Sequence, residues 1–135
     1  FSYLSANEFD MATIFAMTAT EAAFTKGEEW RKQMISYIEG NIDFVEEYLK
    51  ANIPEITIMK PQASYLVWMN FSKLGLEHNA LVDMLINKAR LAMNDGAMFG
   101  KEGEQHMRLN VGTTRAILKQ ALDQLKDAVN EIKTK

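Results

Sequence analysis

The run Ser64-Tyr65-Leu66-Val67-Trp68-Met69-Asn70-Phe71 restricts the fold of this chain more than any other segment. Its residues are those of a β-strand, in which successive side chains point to opposite faces. Tyr65, Val67, Met69 and Phe71 then face one way, and Leu66 and Trp68 the other. Both faces are apolar, so the strand needs cover on each side. Helices of the same chain can cover one face; something else has to cover the other.

Those helices are readable around it. Ser5-Ala6-Asn7-Glu8 has the form of a capping box, and the Ala- and Met-rich stretch after it predicts a helix over 7–24. Thr25-Lys26-Gly27-Glu28 reads as a second box, opening a long helix in which Trp30, Met34, Ile38, Ile42, Val45 and Leu49 recur at helical spacing. Pro54 disfavours helix at the preceding residue, so this helix ends near Ala51, and Gly40 allows a bend within it. Residues 56–59 and 64–71 read as a hairpin, residues 79–90 as a third helix with Leu81, Met84, Leu85 and the Lys88 stem inward, and residues 91–94 as a short strand. A glycine-rich connection, 96–103, then leads to a strand at 106–112 and a helix over 114–132. That last helix carries the stripe Ile117, Leu118, Ala121, Leu122, Leu125, Ala128, Val129 and Ile132. The order α-α-β-β-α-β-β-α predicts an α+β two-layer sandwich: a mostly antiparallel four-stranded sheet with helices on one face.

With 135 residues, the chain has the material for a single domain and not for two. Its 15 basic and 18 acidic residues are interspersed, so it offers no cationic stripe for nucleic acid and no basic amphipathic face for a membrane. No apolar run approaches a membrane span and no signal sequence is visible, which suits a cytoplasmic protein. The absence of cysteine removes disulfides and thiolate chemistry. An opening phenylalanine in place of methionine reads as a cut within a longer chain.

Most chemical motifs fail on inspection. Gly100-Lys101-Glu102 resembles a phosphate loop only superficially: the glycine spacing is short, no Ser/Thr follows the lysine, and Glu102 repels phosphate. A tight connection that needs positive φ explains those glycines better. His78 and His106 lack companion ligands at metal-site spacing, no serine lies in a nucleophile elbow, and the paired acids sit on helix termini and solvated faces. Arg108 stands apart, because it lies between Met107 and Leu109 within an apolar strand. A half-buried guanidinium stays charged and needs an anion, which leaves two readings open: an internal salt bridge or a bound carboxylate. Arg115, at a helix start where the dipole disfavours a cation, reads as structural.

The block Gly96-Ala97-Met98-Phe99-Gly100-Lys101-Glu102-Gly103, continued by Arg108-Leu109-Asn110 and Arg115, resembles the C-terminal block of class I/II aminotransferase-type enzymes dependent on pyridoxal 5'-phosphate (PLP). Ala19 to Trp30, Tyr37-Ile38-Glu39-Gly40-Asn41 and Pro61 to Met69 are similar, in the same order, to the cystathionine β-lyase or C–S lyase branch of fold type I. Two departures stand out: Thr114 where the family usually has proline, and Ala63 where it often has glycine.

The resemblance implies that residues 1–135 are the C-terminal small domain of such an enzyme, with 1–27 a connecting helix toward a large domain. It implies that Arg108 binds the α-carboxylate of an amino-acid substrate, with Asn110 shaping the strand beside it. The family's Schiff-base lysine and phosphate cup precede Phe1, and no lysine here lies in a matching Ser-x-Ser-Lys context. No catalytic, cofactor-binding or metal-binding residue is therefore expected in this stretch, which alone should be inactive. The parent would be a homodimer that eliminates a thiol from cystathionine- or cysteine-type amino acids, or else a transaminase. A free-standing α+β binding domain with Arg108 in a salt bridge is the contrasting reading.

Overall fold

A computed structural model describes residues 13–134. The chain divides into two compact units, residues 1–36 and 37–135.

The described part of the first unit is helical. Helix α1 (Ile14–Lys26) starts at Thr13, whose hydroxyl accepts from Ala16 N at 3.2 Å. The predicted box at Ser5 lies outside the described residues. Thr25 is no cap: its hydroxyl donates back to Glu21 O at 2.7 Å inside α1, and Gly27 makes the junction to α2 (Glu28–Asn52). A Cβ at Gly27 would run into Ala23 O, so the sharp junction depends on glycine and not on a hydroxyl cap. None of α1's residues is buried.

The second unit holds the core. Ile42, Val45 and Leu49 of α2 continue the predicted stripe and are buried. The helix runs unbroken through Gly40. Strands β1 (Thr57–Met59), β2 (Leu66–Asn70), β3 (Asn94–Asp95) and β4 (His106–Asn110) form a wholly antiparallel sheet in the order β1-β2-β4-β3. The hairpin turn takes its left-handed residue at Ser64 (φ 72°), next to Ala63. Val67, Met69 and Met107 are buried on one sheet face, against α2, α3 (His78–Asp83) and α4 (Arg115–Lys133).

Two elements differ from the sequence expectation. After Asp83 the third helix widens into a π-helical turn over Met84–Lys88, with Ala89 N donating to Met84 O at 2.9 Å. The wider turn sets Met84, Leu85 and Ala89 all into the core, which helical spacing alone does not require. The strand expected at 91–94 shrinks to Asn94–Asp95, because only those residues find partners on β4. Helix α4 forms where predicted, with Thr114 as its N-cap and Leu118, Leu122, Leu125, Ala128 and Val129 buried, but Ile117 of the predicted stripe is exposed at its first turn.

Candidate functional site

Alternation along the strands sends every second side chain to the face opposite the core. Registered neighbours share a face, so Met59, Trp68, Arg108 and Asn94 form one row across the sheet there, flanked by Leu66, Asn70, His106 and Asn110. Phe99, at the end of the short 3-10 helix Gly96–Phe99, lies on this face. Trp68 is half-buried because neighbouring rings cover it: His106 stacks on it at 5.7 Å between centroids, and Phe99 meets it edge-on at 5.7 Å.

Arg108 lies at the centre of that row. Its Nη2 donates to Asn94 Oδ1 at 2.9 Å, and its guanidinium carbon sits 4.9 Å from the Phe99 ring centroid. Its Nε is buried and has no hydrogen-bond partner. Among the described residues no carboxylate pairs with it, so they form no internal salt bridge of the kind that the sequence left open. A cation on half-buried ground, held by neutral groups, has the charge and the planar donor set that could receive a planar anion. Asn110 turns back on its own chain, accepting from Gly112 N at 2.8 Å, and shapes the end of β4.

The glycine-rich connection supplies Phe99 and Asn94 from its two sides. Its glycines serve close approach more than positive φ. A Cβ on Gly103 would collide with Gly96 O, and one on Gly96 would sit 2.6 Å from His106 O; only Gly100 has a positive φ, 136°. Asp95 caps this turn through Ala97 N at 2.9 Å and meets His78 Nε2 at 3.1 Å. His78 Nδ1 accepts from Gln105 N at 3.3 Å, which assigns the proton to Nε2. His78 thus staples the loop. Among the described residues no cluster of His or acidic residues could hold a metal.

Arg115 is structural. Its Nε donates to Asn41 Oδ1 at 2.7 Å, its backbone N donates to Tyr37 Oη at 2.8 Å, and its guanidinium lies 4.9 Å from the Phe44 ring centroid. Asn41, fully buried, donates through Nδ2 to Val111 O and Thr113 O, both at 2.9 Å. Gly40 leaves room for this guanidinium, since a Cβ there would lie a tight 3.1 Å from Arg115 Nη2. This clamp fixes the chain where β4 leads into α4.

No protein-family model matches the chain. Cystathionine β-lyase PatB of Bacillus subtilis is 40% identical over 116 residues, 86% of this chain and 30% of that protein. The chain is a homologue of the PLP-dependent cystathionine β-lyases and aminotransferases. This lyase and aminotransferase homologue spans about a third of the length of the curated relatives it matches. Among solved structures, a PLP-bound protein of Clostridium difficile 630, provisionally named an aminotransferase, superposes with a TM-score of 0.88 at 35% identity, covering 96% of this chain and 33% of that one. Cystalysin of Treponema denticola, which contains PLP, gives 0.85 at 26% identity over 89% of this chain and 30% of that one.

PLP chemistry needs an amine for the Schiff base and a cradle for the phosphate. The open face of this homologue carries one cation, Arg108, and no lysine among the residues in register on it. These side chains do not fit the cofactor. No helix among the described residues is long and apolar enough to cross a membrane.

Proposed function

We propose that this chain is the substrate-carboxylate-binding small domain of a PLP-dependent C–S lyase. The observation that carries the reading is Arg108: a fixed, half-buried guanidinium on the sheet face opposite the core, with no carboxylate paired to it among the described residues. In the parent reaction, an S-substituted cysteine and water give a thiol, pyruvate and ammonia. The α-proton leaves and the Cβ–S bond breaks, and PLP supplies the electron sink for that bond-breaking when bound. The part of this chain is to hold and orient the α-carboxylate through Arg108, with the Trp68, Phe99 and His106 rings limiting water around it. Asn110 acts on the strand end and makes no direct contact with substrate. The amine that holds the cofactor belongs to a preceding large domain, the parent acts as a homodimer, and the isolated chain is inactive.

Aminotransferases among the relatives favour a second reading, transamination, in which Arg108 has the same role; aspartate aminotransferase of Pyrococcus horikoshii is 26% identical over 117 residues. Incubating the complete protein and PLP with cystathionine separates the two. Pyruvate release supports the lyase; efficient exchange with a keto acid and no pyruvate refutes it. Arg108→Ala should raise KM by about 100-fold, in line with loss of a charge-assisted bidentate contact. An unchanged KM removes the assigned role.

A further inference from the structure

The groups that hold Arg108 carry no charge. Its Nη2 donates to the Asn94 amide oxygen at 2.9 Å, and the Phe99 ring lies 4.9 Å from its guanidinium carbon. A carboxylate lies only one residue from Asn94, yet strand alternation turns it away: Asp95 pairs in register with Met107 and spends its oxygens on His78 and Ala97 N. The sheet thus places an amide opposite Arg108 and an acid opposite its neighbour Met107. An amide oxygen can orient a guanidinium without neutralising it, whereas a carboxylate would do both.

We infer that Asn94 is a positioning residue whose neutrality keeps Arg108 available for the substrate carboxylate. This rests on the carboxylate reading of Arg108 and deepens it. The amide fixes Nη2 and leaves the guanidinium charge to the ligand. Shifting the strand register by one residue would put Asp95 in this place and fill the receptor from within. The arrangement commits Arg108 to an external anion, and it does so at a position that the resemblance of the Gly96–Arg115 block does not include.

The test compares Asn94→Asp and Asn94→Ala in the complete PLP-loaded protein, reading KM and kcat for cystathionine, calorimetric binding of the non-reacting analogue α-methylserine, and the melting temperature. Asn94→Asp should raise both KM and the analogue's Kd about tenfold or more, because a charge-assisted bond to Arg108 must first be broken. Its kcat should stay near wild type and its melting temperature equal or higher. Asn94→Ala should raise KM only about threefold, since a loosened but still charged arginine keeps its attraction for the ligand. A purely structural role predicts instead that affinity and melting temperature fall together in both variants; that result, or Asn94→Asp within twofold of wild type, overturns the inference. Arg108→Ala is measured alongside. If it leaves the analogue's Kd unchanged, the carboxylate reading itself fails; if it abolishes binding while Asn94→Asp does not weaken it, only the role of Asn94 fails.

Discussion

Replacing Asn41 by leucine should cost the fold about 3 kcal/mol, although the substitution makes a buried side chain more apolar. Asn41 is fully buried and makes three hydrogen bonds: Nδ2 to Val111 O and to Thr113 O, and Oδ1 from Arg115 Nε. Leucine keeps the branching at Cγ but is the larger side chain, so no cavity opens and any crowding adds to the cost. The Val111 carbonyl is buried and would lose this amide donor, a loss of about 1–3 kcal/mol for an unsatisfied group. Thr113 O and Arg115 Nε are only partly buried, so water recovers much of each, leaving roughly 0.5–1 kcal/mol apiece. The sum, about 3 kcal/mol, corresponds to a fall of roughly 10 °C in Tm for a chain of this size. Denaturant titration followed by far-UV circular dichroism measures it. A loss below about 1 kcal/mol would show that packing volume, and not the three polar contacts, is what this position contributes, and the clamp would not be what fixes the β4–α4 connection.

Gly103→Ala should destabilise the second unit by about 2 kcal/mol or more, because the new methyl meets the Gly96 carbonyl and both backbones must part; thermal melting checks this, with exposed Gly75→Ala, strained at φ 68° but unobstructed, as the comparison. Tyr48 should titrate last among the tyrosines of the described residues in ultraviolet difference spectra, and Tyr48→Phe should remove that final step. Burial pushes its hydroxyl above the ordinary range, and the hydrogen bond to Asp123 at 2.6 Å adds to the shift. The raised pKa belongs to the folded state, so the unfolded tyrosine loses its proton first; the stabilisation is complete below about pH 10 and declines as pH rises above it.

The sequence by itself determined the order of elements, the antiparallel α+β architecture, the two-sided character of the 64–71 strand and the singularity of Arg108. These are properties of local periodicity and of a residue type out of place, and both are written along one dimension. The charge on Arg108 could be read from sequence, but whether a carboxylate meets it could not. That depended on which residue of the Asn94-Asp95 pair falls opposite it, and a slip of one position would exchange them. Likewise Gly96 and Gly103 looked like turn residues until their backbones were seen in contact, and Thr25 looked like a cap until its hydroxyl was seen bonded within α1. Asn41 had no special signal within its helix, because its three partners lie 70 or more residues away. Register and long-range contact are set by the packing of whole elements, and only the tertiary structure decides them.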